Sequence, residues 1–83
     1  MIPAQRAVLT AMSETEPRTV AHLGDIAFRG PDRRLRALDE IFPLADAGLA
    51  VSCGGTPVSR LAAAGRGWCR TPEGTAALGG GDE

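Results

Sequence analysis

A mainly α-helical fold with a small β-hairpin, an α+β domain, is what this 83-residue sequence predicts. Three observations predict it. The apolar content is aliphatic: Trp68, Phe28 and Phe42 are the only aromatic residues, so the core falls to Leu, Val, Ile and Ala, the composition of closely packed helices. Leu35, Leu38, Phe42, Ala45 and Leu49 recur at alternating spacings of three and four, the period of an amphipathic helix. Ala47–Gly48–Leu49–Ala50–Val51 reads as a helix stop and a strand start, and Trp68–Cys69–Arg70 as a returning strand.

The elements follow in order. Residues 3–14 predict a first helix, with Pro3 in a first turn that needs no N–H and with Ala4, Val8, Ala11 and Met12 on one face. Residues 18–27 predict a second helix, with Thr19 as N-cap and Val20, Leu23 and Ala27 inward, Ile26 lying at the edge. Arg29–Gly30–Pro31 is a tight break. A third helix opens at Asp32 or Gly30, and Pro43 is expected to kink it or to start a separate last turn ending at Gly48. Residues 49–53 predict a strand, Gly54–Pro57 a turn, and Val58–Ala64 either a strand or a helical turn. Thr71–Pro72–Glu73 has the pattern of a capped helix start, continuing through Leu78. The whole is one domain, 1–78, with a flexible tail at 79–83. Two short strands cannot make a core, so they are expected to cover an edge of the helical cluster.

Net charge is -1, which excludes an indiscriminate polycation, but the charges segregate. Residues 28–37 carry Arg29, Arg33, Arg34 and Arg36 against Asp32 alone; residues 47–72 carry Arg60, Arg66 and Arg70, with Glu73 the next acid. No stretch of about 18 apolar residues is present, so no membrane span is expected. No secretory signal is expected either, and two cysteines do not make a disulfide scaffold; a cytoplasmic protein with free thiols is the expectation. No nucleophile–base spacing, Walker lysine or metal-ligand set occurs, so neither an enzyme nor a cofactor or metal is expected, and no small-molecule ligand is evident.

With these residues in this order, the chain resembles the winged helix-turn-helix domain of small bacterial or phage regulators, similar to the MarR, PadR and ArsR groups. Thr19–Ala27 resembles the first helix of the helix-turn-helix, Arg29–Pro31 its turn, and Arg33–Ile41 the recognition helix. Ala47–Val51 resembles the junction into the first wing strand, and Trp68–Gly74 the second wing strand running into a Thr-Pro-Glu-Gly helix start. The resemblance implies a three-helix core plus a wing and a short C-terminal helix. It implies binding of duplex DNA and regulation of transcription, as by a repressor, through a recognition helix at about 32–42 and a wing at about 49–70. A homodimer, with half-sites one helical turn apart, or a complex with a protein partner is the expected assembly.

A helical wheel centred between Leu38 and Phe42 turns Arg33, Arg36 and Glu40 outward, with Ala37 beside them. Arg33 and Arg36 are then the expected base readers, Ala37 a contact for a thymine methyl and Glu40 an acceptor from cytosine; Arg29, Arg34, Arg60 and Arg66 are expected to hold phosphates. Asp32, Arg36 and Glu40 also have the spacing of an ordinary charge ladder on a solvated helix. The alternative is a winged-helix protein–protein interaction module, for example a phage or host-factor-binding protein; Glu40 and an outward Leu44 favour it. Cys53 and Cys69 fall on the two expected strands, either as a facing pair or as two small half-buried residues. His22 is expected at a helix surface, and Trp68 is expected to pack the hairpin on the helices or to stack on a partner.

Overall fold

The computed structural model describes residues 2–53 and 65–80. The predicted turn at Gly54–Pro57, the segment Val58–Ala64 with Arg60, and residues 81–83 lie outside the described residues. Four helices and three strands are described: α1 (Pro3–Ala11), β1 (Arg18–Thr19), α2 (Val20–Ala27), α3 (Arg33–Asp46), β2 (Ala50–Cys53), β3 (Gly67–Arg70) and α4 (Pro72–Gly80). The strands form one antiparallel sheet in the order β1-β3-β2. The arrangement is a small α+β fold, as the sequence predicts at that level.

α1 begins with Pro3 in its first turn and ends at Ala11, three residues before the predicted end. The Ser13 hydroxyl accepts from the amides of Thr15 and Glu16, both at 3.1 Å, and so draws the backbone away from the helix. Two arginines satisfy carbonyls in the last turn of α1. Arg18 donates to the Ala11 carbonyl, and Arg70 Nη1 donates to the Leu9 carbonyl at 3.1 Å. Arg6 donates to the Leu78 carbonyl of α4 at 2.8 Å in the same manner.

β1 has no counterpart among the predicted elements. It is two residues long, extended after Pro17, and pairs Arg18 with Trp68 and Thr19 with Gly67. The same extended Thr19 caps α2, accepting the His22 amide at 3.3 Å as predicted.

α3 runs unbroken through Pro43. Pro43 lacks the N–H that would donate to the Asp39 carbonyl, and both residues are exposed. The helix ends as the sequence predicts. Gly48 has φ +76°, the Leu49 amide donates to the Leu44 carbonyl at 2.9 Å, and the Gly48 amide donates to the Ala45 carbonyl at 3.0 Å. These are the two bonds of a Schellman stop, which requires a residue free to adopt positive φ.

The rotation of α3 differs from the expected one. Ala37, Leu38, Ile41 and Leu44 are its buried residues, and Phe42 and Ala45 are half-buried beside them. Leu35, expected inside, is 60% exposed. The face is turned by about 80° from the predicted one. The cause lies in α2: a side chain on Gly24 would meet the Arg33 carbonyl at 2.7 Å and Arg34 Cα at 2.8 Å. The bare glycine lets the two backbones touch, which fixes which side of the first turn of α3 faces inward. Leu44, expected outside, is buried as a result.

Val8, Leu9, Met12, Val20, Leu23, Phe28 and Trp68 join this face in one core. α4 starts at Pro72 with the Thr71 hydroxyl accepting the Gly74 amide at 3.0 Å. It continues through Gly80, two residues into the predicted tail.

Candidate nucleic-acid interface

The hairpin of α2 and α3 gathers the arginines at one end. Phe28 closes α2, and Gly30 turns the chain with φ +95°. Arg33, Arg34 and Arg36 then fill the first turn of α3, with exposed Arg29 just ahead of the turn.

Two of these arginines share one carboxylate. Arg33 Nε donates to Asp25 Oδ1 at 2.6 Å, and Arg34 donates through Nε and Nη2 to the two Asp25 oxygens at 3.3 Å. Arg33 also donates through Nη1 to the Gly30 carbonyl at 3.0 Å, which fastens the turn. The hydrogen bonds from Arg34 and then Arg33 hold the Asp25 carboxyl below its ordinary pKa. Asp25 belongs to the last turns of α2, so the cluster ties α2 to α3 across the break. Arg36 lies over the Phe28 ring, 4.3 Å from its centroid. Such a stack is worth about 0.5–1 kcal/mol at an exposed site and limits the positions the guanidinium takes.

Not every expected site residue reaches the surface. Ala37 is 0% exposed, so it presents no methyl to a groove. Glu40 is half-buried, and Arg33 is partly withdrawn by its ties to Asp25 and Gly30. Arg29, Arg34 and Arg36 are exposed; Arg66 is half-buried beside the start of β3. Arg60 lies outside the described residues. Asp25 and Phe28 were not among the expected site residues. The signal for Asp25 was its place eight and nine residues before Arg33 and Arg34, across a Gly-Pro turn that folds the two helices back on each other.

The solvent ridge of α3, opposite Ile41, carries Leu35, Arg36, Asp39, Pro43 and Asp46, with Asp32 just ahead, all exposed. The helix therefore has a basic first turn and an acidic remainder. Arg6, Arg18 and Arg70 are committed to helix carbonyls and lie outside this cluster.

An open groove of about 450 Å³ between α1 and α2 is lined by Pro3, Ala7, Thr10, Ile26 and Ala27, with Arg6 as its charged residue. Among the described residues there is no group of three His, Cys, Asp or Glu able to hold a metal, and no helix long and apolar enough to cross a membrane. Comparison with protein-family models, with curated proteins and with solved structures finds no match to this chain.

Proposed function

We propose that this chain is a winged helix-turn-helix domain that binds duplex DNA through the first turn of α3 and thereby regulates transcription. One observation carries the reading. Three arginines occupy the first turn of α3, where the helix dipole is already positive. Cations there oppose the helix by a few tenths of a kcal/mol each, and Asp25 relieves only part of that. A phosphate approaching this end meets the dipole and the arginines together, and relieves what the folded chain alone leaves unfavourable. The element order is compatible with this reading, in which α2, the Gly30 turn and α3 would form the helix-turn-helix and β2 with β3 the wing.

The side chains divide the work. Arg36, braced on Phe28, is the base reader, able to fork onto guanine O6 and N7. Arg29 and Arg34 hold phosphates, with Arg60 and Arg66 doing so from the wing. Arg33 positions the turn through Asp25 and Gly30. A homodimer supplies the second half-site that so small a contact surface needs.

Fluorescence anisotropy with a labelled duplex across a range of salt tests this. Wild type should bind at low salt with a slope of log K on log salt near -3 to -4 per bound protomer, about 0.9 per phosphate neutralised. Arg33→Ala/Arg36→Ala should lose most of the affinity and flatten the slope. Absence of binding at low salt would sink the reading.

A second reading rests on the ridge of Asp32, Leu35, Asp39 and Asp46. Its carboxylates repel phosphate, and Leu35 gives it an apolar element, so a protein-interaction module is the rival. In that case DNA binding is absent and Leu35→Asp abolishes capture of the protein partner.

A further inference from the structure

Cys53 and Cys69 are the only thiols in the sequence, and β2 and β3 bring them together. The register sets Val51 opposite Cys69 and Cys53 opposite Gly67. Opposed residues in an antiparallel pair share a face, so the two cysteines are diagonal neighbours on one side of the sheet. Gly67, between them on that face, carries no side chain. The two Sγ atoms lie 3.2 Å apart. A disulfide needs about 2.05 Å, so closure asks for a movement of about 1 Å. Cys53 is exposed and Cys69 is buried. We propose that Cys53 and Cys69 form a reversible intramolecular disulfide, with Cys53 as the thiol that meets the oxidant and Cys69 as the thiol that resolves it.

The oxidant is a low-molecular-weight disulfide such as oxidised glutathione. Deprotonated Cys53 Sγ attacks one of its sulfurs. The reagent's S–S bond breaks, one glutathione leaves and takes up a proton, and the other stays bonded to Cys53. Cys69 Sγ then gives up its proton and attacks Cys53 Sγ; the mixed bond breaks and the second glutathione leaves as a thiol. Two protein thiols are oxidised to one disulfide, one reagent disulfide is reduced to two thiols, and the protons balance.

Burial and the neighbouring Cys53 push the Cys69 thiol up to about 11. The desolvation persists once Cys53 is capped, so the resolving step quickens as pH rises. The bond closes the chain from Cys53 to Cys69 into a loop and so restricts the unfolded chain.

The test is the intact mass of the full chain after incubation with excess oxidised glutathione, acid quench and non-reducing analysis. Wild type should become a monomer lighter by two hydrogens, restored by dithiothreitol and with a raised melting temperature. Cys69→Ser should retain one glutathione on Cys53. Cys53→Ser, with only the buried thiol left, should stay unmodified over the same interval. Wild type that keeps two thiols, retains glutathione, or links into dimers overturns the proposal. A Cys53→Ser chain modified as fast as Cys69→Ser overturns the assigned order of attack. None of these readouts involves DNA.

Discussion

Asp25 holds two arginines at once, and its replacement separates a structural role from an electrostatic one. In Asp25→Asn the α2–α3 tie weakens while two guanidinium groups are released. Duplex binding should be several-fold tighter, with a salt slope steeper by up to about one, read by anisotropy. Weaker binding would mean that Arg33 works only in the pose Asp25 gives it. The pH dependence has a definite sign. The carboxyl is held below its ordinary 3.8, so its contribution to stability is present above that value and is lost as pH falls through the lowered one. Thermal midpoints from about pH 2 to about pH 6 should show an acid limb in wild type that is shallower in Asp25→Asn.

Gly24 and Gly48 are residues where a methyl group decides the outcome. Helix propensity alone favours Gly24→Ala by about 1 kcal/mol. The clash with the backbone of Arg33 and Arg34 costs about 1–3 kcal/mol and should win, since backbone atoms cannot swing aside as a side-chain end can. The urea midpoint of Gly24→Ala should fall; a rise would mean that the helices separate at little cost. Gly48→Ala should lose about 1 kcal/mol through its positive φ alone, as open space surrounds that position.

α3 is the element on which the account turns, and Pro43 is its most replaceable residue. Pro43→Ala restores a donor to the Asp39 carbonyl on an exposed face. It should stabilise the domain by about 1–3 kcal/mol in denaturant unfolding and leave DNA affinity unchanged. A loss of stability would show that the proline sets a bend the core needs. Those features of α3 that are local could be read in the sequence. Its stop at Gly48 and the Thr19 cap of α2 depend on residues a few positions apart, and both occur as predicted. Its rotation could not be read, because two stripes compete. One runs through Leu35, Leu38 and Phe42, the other through Ala37, Leu38, Ile41 and Leu44. The choice between them is made by contact with Gly24, a residue of another helix whose role is invisible without the packing. β1 was out of reach for a related reason: two residues carry no periodicity, and their strand character comes from pairing with Trp68 and Gly67 far along the chain. The candidate site divides likewise. The arginine cluster was visible as composition, whereas the Asp25 clamp and the Phe28 platform arise only when the α2–α3 hairpin closes.

At the scale of the whole molecule, one tryptophan joins the sheet to the helices. Trp68 is buried, sits on the central strand, and faces Arg18 on one side and Ser52 on the other. A domain of this length has about 4–12 kcal/mol of stability, and Trp68→Ala removes about 3–5. Circular dichroism of that variant should show a shallow, poorly cooperative melt; a sharp transition near the wild-type temperature would deny Trp68 that role. The charge layout of the molecule follows from the same assembly. Arg6, Arg18 and Arg70 close helix ends, and the proposed DNA contact is assigned to the α3 cluster, with Arg66 beside β3. The most direct test of that claim is a titration of the isotopically labelled protein with a short duplex at low salt, followed by amide chemical shifts. Shifts should concentrate at Arg29–Ala37 and around Arg66 and reverse with added salt, with α1 and α4 unmoved. A spectrum unchanged by saturating duplex, or shifts confined to α1 and α4, would contradict it.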